Sequence, residues 1–343
     1  MNNLLEIQRK IVPEALVLLE KRYSILNEIS LSGTIGRRML ASKMNISERI
    51  IRSEVDFLKN EGLIAIDATG MMVTPSGKVI LDSIGEYISQ IRGLSLMQVT
   101  LAEKLGISKV IIVATSVESS REALKELGKE ASRYFLSTVR PDSIVGITGG
   151  YTMFEFSEQM QKREFPDMTI VPARGGLGEV LEIQSNNIVA NLAGKLMARY
   201  ELLHIPDNIN KDIMSYMYSD PQIKSVVDDI QKIDYLVFGI GNAQDMARRR
   251  RTSDDQWQEI KRKGAVSESF GHYFDISGEI VYETGTVGIK LEQYKNLKSI
   301  IGVAGGRNKA EAILSISKIN SNLVLITDES AAFRLMDLLD KCD

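Results

Sequence analysis

The sequence predicts an α/β protein: a small N-terminal helical head with a β-wing, then a larger, mostly parallel sheet with helices on both faces. Three observations lead there. The first ninety residues carry helical periodicity that runs into two short β-branched segments. From Ser108 onward, short Val- and Ile-rich runs alternate with helix-length segments, the pattern of buried parallel strands. Several of those runs end in glycine-bearing turns, and open α/β sheets bind ligands beyond the carboxyl ends of their strands. At 343 residues the chain has room for two or three domains. The division expected here places the head and its linker helix in residues 1–92 and the sheet domain in 93–343.

Composition limits the possible functions. Hydrophobic residues make up 44% and charged residues 25%, an ordinary globular mixture, and the formal net charge is −3. That total gives no reason to expect nucleic acid, but its distribution does. Between Lys21 and Asn60 lie Lys21, Arg22, Arg37, Arg38, Lys43, Arg49, Arg52 and Lys59 against Glu28, Glu48, Glu54 and Asp56. This is a basic patch in a slightly acidic chain. The single cysteine, Cys342, excludes an internal disulfide or a Cys-based zinc site. With only His204 and His272 besides, no metal centre is expected. No apolar run approaches the ~20 residues of a spanning helix, and the acidic, amphipathic N-terminus is not a signal peptide. A cytoplasmic setting without membrane contact is expected.

In chain order, residues 4–28 have helix-forming composition, and GRRMLASKM (36–44) reads as a short helix. Asn45 opens a turn with Glu48 as a capping-box partner, and ISERIIRSEVDFLKNEG (46–62) forms a second helix ended by Gly62. Its apolar stripe is Ile46, Ile50, Ile51, Val55 and Leu58. Arg49, Arg52, Ser53 and Asp56 follow i, i+3, i+4, i+7 on the other side. Such a face can be merely solvated. The strands Leu63–Asp67 and Met71–Thr74, joined around Ala68-Thr69-Gly70, supply a wing and make it a winged helix-turn-helix. Arg49 and Arg52, with Ser47 and Ser53 beside them, would face base edges of double-stranded DNA, with Arg37 and Arg38 on flanking phosphates. Pro75 closes the wing. Residues 76–107 continue as one or two helices, a linker or a dimerisation element.

The candidate strands of the sheet domain are 110–116, 143–150, 168–176, 235–243, 299–309 and 323–332, and HYFDISGEIVY (272–282) reads as a hairpin inserted among them. Glycine turns close four: TGG at 148–150, ARGG at 173–176, GIG at 239–241 and AGG at 304–306. Together they should line one crevice. None matches the dinucleotide or Walker A fingerprint, so neither a dinucleotide nor a nucleoside triphosphate is indicated. VGITGGYT (145–152) runs from strand into helix and would bare amide N–H groups to an anion. Arg174 offers a planar fork for a phosphate, and the Lys309 ammonium could curl back to an oxyanion at its own helix start. The run ARRRRTSDD (247–255) is either a solvated surface or the source of a second phosphate ligand, Arg249 or a neighbour, reaching across the crevice. Glu268 is the carboxylate placed for sugar hydroxyls. His272 reads as a packed, hydrogen-bonded residue rather than a catalytic one, and Asp328 and Glu329 as possible helix caps.

The head segment SERIIRSEVDFLKNEGLI resembles the DeoR-type winged helix-turn-helix. Together with TGGYT, VPARGGLGE, GAVSESFGHYFDISGE, VAGGRNKAEAI and LVLITDESAA in that order, the chain resembles the SorC/DeoR-type sugar-sensing repressors over nearly its whole length. That likeness implies a Rossmann-like sheet domain similar to sugar-phosphate isomerases and deaminases. It further implies an operator ahead of glycolytic genes, self-association as a dimer or tetramer, and fructose-1,6-bisphosphate as effector. It assigns phosphate binding to Gly149, Gly150, Thr152, Arg174 and Lys309, with Gln184, Arg249 and Glu268 completing contacts to the sugar and the other phosphate. Tyr151 stands where the family loop commonly carries Thr. The rival reading, a sugar-phosphate isomerase or deaminase carrying a DNA-binding head, needs a proton shuttle beside a phosphate loop. No His–carboxylate pair adjoins one in the sequence, so no catalytic residue, cofactor or metal is assigned.

Overall fold

In a computed structural model, which describes residues 2–117, 123–177, 180–206 and 220–341, the chain divides into two units. One is Met1–Leu96 with residues 119–123; the other is Met97–Glu118 with Leu124–Asp343. Cys342 lies outside the described residues.

In the first unit, helices Asn2–Ile11 and Pro13–Ser32 precede the helix-turn-helix pair Arg37–Met44 and Glu48–Asn60. Strands β1 (Ile64–Ile66) and β2 (Met71–Val73) then pair antiparallel, Ile64 opposite Val73. Asp67 makes the wing turn: its Oδ1 accepts from the Thr69 N–H at 2.7 Å and the Gly70 N–H at 3.2 Å, an Asx turn. These bonds, led by the Thr69 hydroxyl, hold the Asp67 carboxyl below its usual pKa. Ile25, Ile29, Leu40, Ile51, Val55, Leu58, Ile64 and Met71 form the core of this unit. Two sequence expectations change. The second helix begins at Glu48 with Ser47 as N-cap, while Asn45, in the left-handed region at φ 52°, ends the first, so no capping box forms. Ile50 lies 43% exposed rather than in the apolar stripe, and Glu54 takes a buried place, held by Lys21 at 2.6 Å and Arg22 at 2.9 Å.

The second unit is built on seven parallel strands: β3 (Lys109–Val113), β4 (Ile144–Ile147), β5 (Thr169–Pro172), β6 (Arg199–Tyr200), β7 (Tyr235–Gly239), β12 (Ser299–Val303) and β13 (Leu323–Asp328). Their spatial order is β3-β13-β12-β7-β4-β5-β6. From β4 the chain steps outward to β5 and β6, returns to β7 beside β4, and steps the other way through β12 to β13, which lies beside the earlier strand β3. This is the doubly wound Rossmann order with one strand added, and its reversal point falls between β4 and β7. The strands are apolar on both faces because helices cover both: all six residues of β13 are buried. On one face the helices Ala123–Thr138, Tyr151–Glu158 and Ser185–Leu196 bury Leu127, Phe135, Phe156, Ile188 and Leu192 against β4, β5 and β7. The Phe135 and Phe156 rings meet edge to face at 5.6 Å.

The hairpin of β10 (His272–Phe274) and β11 (Ile280–Glu283) does not interrupt this sheet. It belongs to a separate four-stranded antiparallel sheet, β11-β10-β9-β8, with β8 (Gly241–Asn242) and β9 (Ser267–Ser269). Because β8 follows β7 directly and pairs with β9, Glu268 is set opposite Gly241, at the carboxyl end of the main sheet.

Asp328 is fully buried and fixes two turns at that end. As N-cap of the helix Glu329–Leu339 it accepts from the Ala331 N–H at 3.0 Å, and it also accepts from Gly306 at 2.9 Å and Val117 at 2.7 Å. Asp328→Ala would orphan three amide donors. At about 1–3 kcal/mol per buried donor, the two buried ones alone (Gly306 and Ala331) should lower stability by roughly 2–6 kcal/mol, seen as a lower urea midpoint. An unchanged midpoint would refute the clamp.

Candidate functional site

At the end of β4, Thr148, Gly149 and Gly150 lead into the helix Tyr151–Glu158. The turn is held against the segment 183–185. A Cβ on Gly149 would lie 2.7 Å from the Ile183 carbonyl oxygen, closer than any side chain allows, and Gly150 has φ +119°, where glycine is favoured. The Gly150 N–H donates to that same carbonyl at 2.9 Å. Tyr151 and Thr152, in the first turn of that helix, line the crevice, and a helix start is where backbone amides can meet an anion. Thr148 Oγ1 accepts from the Gly239 N–H at 3.3 Å, joining the turns of β4 and β7 across the reversal point.

These turns wall a cavity of about 580 Å³, and all four glycine turns contribute to it. Every residue singled out from the sequence as a ligand contact lines it: Gly149, Gly150, Tyr151, Thr152, Arg174, Gln184, Arg249, Glu268 and Lys309. Their present contacts refine their parts. The Lys309 ammonium is 3.6 Å from Asp245 Oδ2. Burial pushes its pKa down, the Asp245 carboxylate opposes that, and nearby Arg249 adds to it. Arg249, from the helix that follows β8, comes to the turn after β4: its Nη1 would be 3.5 Å from a Cβ on Gly150, and its guanidinium lies 5.9 Å from the Tyr151 ring. The phenol of Tyr151, 37% exposed, lies against it.

Two expected sugar contacts are engaged elsewhere. Leu177 N–H donates to Gln184 Oε1 at 3.0 Å and Gln184 Nε2 donates to the Leu177 carbonyl at 3.1 Å, so this amide fastens the ARGG turn. Glu268, with no side-chain exposure, accepts from Arg250 Nη2 at 2.8 Å and the Gly271 N–H at 3.1 Å, while Arg174 Nη1 is 3.8 Å from its other oxygen. Arg250 was not singled out: the run stood open between a solvated surface and a phosphate contact by Arg249 or a neighbour, whereas Arg250, 2% exposed, holds the cavity's carboxylate. A helix end that aims successive side chains at different sides was the available signal. His272 lies outside the cavity with Nδ1 2.9 Å from the Phe270 carbonyl, as a packed histidine. Among the described residues no group of His, Cys, Asp and Glu could hold a metal ion.

In the head, Arg49, Arg52, Ser53 and Asp56 share the exposed face of Glu48–Asn60, and Ser47 caps that helix with its side chain unused in the cap. The surrounding charge is more balanced than the count suggests. Arg37 pairs with Asp56 at 3.2 Å, and Glu48 draws both Arg38 and Arg52 at 3.8 Å. Lys21 and Arg22 serve the buried Glu54, and Lys43 pairs with Glu28 at 2.5 Å. Of the eight cations between Lys21 and Asn60, Arg49 and Lys59 remain outside these pairs. Exposed pairs of this kind are weak enough to exchange for phosphates.

Comparison with known proteins gives these features a family. The Sugar-bind model, a sugar-binding domain, matches residues 89–337, and the CggR N-terminal DNA binding domain matches 18–88. The central glycolytic genes regulator of Priestia megaterium is 40% identical over 98% of this chain and 99% of its own, and that of Bacillus subtilis is 38% identical over 98% and 99%. A SorC-family transcriptional regulator from Enterococcus faecalis, 31% identical, superposes with a TM-score of 0.65 over 70% of this chain and 99% of its own. The full-length sorbitol operon regulator of Klebsiella pneumoniae shares the fold at 16% identity, with a TM-score of 0.65 over 88% of this chain and 94% of that one.

The lowered pKa of Lys309 gives a signed expectation. Its charge is complete below that pKa and is lost as pH rises through it, earlier than for an ordinary lysine. Affinity for sulfate, a dianion throughout, should therefore decline on raising pH from 7 toward 10 in a calorimetric titration. Lys309→Arg should flatten that decline. An equally steep profile in the variant would remove Lys309 from the site.

Proposed function

The chain belongs to the SorC family of sugar-binding transcriptional regulators, and on that premise we propose that it represses central glycolytic genes and that fructose-1,6-bisphosphate, bound in the cavity at the β4–β7 reversal point, modulates its grip on the operator. One observation carries the ligand reading: the TGG turn with Arg249 beside it and Lys309 line the same cavity as Arg174, which lies on Glu268. The first group suits one phosphoryl group and the second a further one. Phosphate held by amides and a guanidinium fork needs no titration of the ligand to bind. The names of the two curated relatives support glycolytic genes as the target, and the sugar-binding domain supports a sugar phosphate as the signal.

Regulation works by linkage: a ligand that binds one arrangement better than another shifts the population and with it the affinity for DNA. Two-fold operators need at least two heads, so the working species is a dimer or tetramer, in the cytoplasm with the DNA. On the head, Arg49 and Arg52 face base edges with Ser47 and Ser53 beside them, while Arg37 and Arg38 contact flanking phosphates. The enzyme alternative loses ground: the relatives are transcriptional regulators, and this chain is one too.

A thermal-shift panel of fructose-1,6-bisphosphate, fructose-6-phosphate, glucosamine-6-phosphate and ribose-5-phosphate, followed by mobility shifts on operator DNA at fixed salt, tests the proposal. The bisphosphate should raise the melting temperature most. Arg174→Ala should keep operator affinity and lose the bisphosphate response. Arg52→Ala should weaken operator binding by about 1–3 kcal/mol and keep the thermal shift. Steady turnover of any of these sugars, or a panel without response, would overturn it.

A further inference from the structure

Asp245 lines the same cavity but has no part in the reading above. It is the third residue of the helix Ala243–Arg249, capped by Asn242, whose Oδ1 accepts the Asp245 N–H at 2.8 Å and whose Nδ2 donates to Asp245 Oδ2 at 2.8 Å. A carboxylate there is favourable for the helix alone. Its other neighbours are cations facing the cavity. Lys309 Nζ is 3.6 Å from Oδ2, and Arg248 Nη1 is 3.7 Å from Oδ1. The Asp245 side chain is 39% exposed and that of Lys309 21%. The ammonium assigned to the effector's phosphate is thus already matched by a carboxylate of the same chain.

We propose that Asp245 sets the affinity of this anion site: its carboxylate pairs with the Lys309 ammonium and must surrender that pairing when a phosphoryl group enters. The proposal rests on the reading of Lys309 as a phosphate ligand. Phosphate has to compete with that carboxylate for the ammonium, so removing the carboxylate's charge should tighten phosphate binding roughly tenfold through Lys309. A regulator answering an abundant metabolite has use for such a brake, since a site saturated at every metabolic state reports nothing.

Asp245→Asn is the informative change, because an amide keeps an oxygen for Asn242 and loses only the charge. Full-length wild type, Asp245→Asn, Lys309→Ala and the double variant are titrated calorimetrically with inorganic phosphate and, separately, with fructose-1,6-bisphosphate, with melting curves confirming the fold. Asp245→Ser serves in place of Asp245→Asn if that protein does not fold. The expected result is tighter inorganic phosphate binding by Asp245→Asn, roughly tenfold, with the gain abolished once Lys309 is alanine. No gain, weaker binding, or a gain that persists undiminished without Lys309 overturns the proposal. The two probes separate its fate from that of the effector. Wild type that ignores the bisphosphate while Asp245→Asn gains Lys309-dependent phosphate affinity upholds the brake and removes the effector. Bisphosphate binding unaltered in Asp245→Asn upholds the effector and removes the brake.

Discussion

The approach of Gly149 to the Ile183 carbonyl is the constraint around which the ligand end of the sheet is organised. With no side chain at Gly149, the segment 183–185 can close over the turn, and Gly150 can adopt φ +119° while donating its N–H to that carbonyl. The helix that follows then starts beside the crevice at the β4–β7 reversal point, with Tyr151 and Thr152 lining it.

Around that turn, charge is organised in pairs. Glu268 holds Arg250 inside the wall and lies near Arg174; Asp245 holds Lys309 and draws Arg248. The Glu268–Arg250 pair is inaccessible and hydrogen-bonded, so breaking it would strand a buried charge, whereas the Asp245 group stands partly open to solvent. The first is a fixture that shapes the wall; the second can respond to a ligand. The face proposed for DNA follows the same logic. Arg37, Arg38 and Arg52 rest on Asp56 and Glu48 at 3.2–3.8 Å, exposed pairs that are individually weak.

Much of this was legible in the residues. Alternation of Val- and Ile-rich runs with helical stretches gave the parallel strands β3, β4, β5, β7, β12 and β13, because buried parallel strands must be apolar on both faces. Convergence of the glycine turns was also legible, since topology sends every parallel strand's carboxyl end to one side. Short elements were not: β6, β8 and β9 have two or three residues each, too few to show a period. The partners of polar side chains were equally hidden. Nothing in the run Arg248–Arg251 says which guanidinium turns inward, and Gln184's bonds to Leu177 depend on a loop whose path tertiary packing sets. Ile50 and Glu54 exchanged expected environments for a similar reason: Lys21 and Arg22 come from a preceding helix and neutralise a carboxylate that the helix pattern alone would expose.

A crystal structure of the protein with fructose-1,6-bisphosphate tests the central claim most directly. The account predicts one phosphoryl group on the first-turn amides of Tyr151–Glu158, within hydrogen-bond reach of Arg249 and Lys309, and the other toward Arg174. A sugar bisphosphate lodged away from that turn, with its amides still facing solvent, would contradict it.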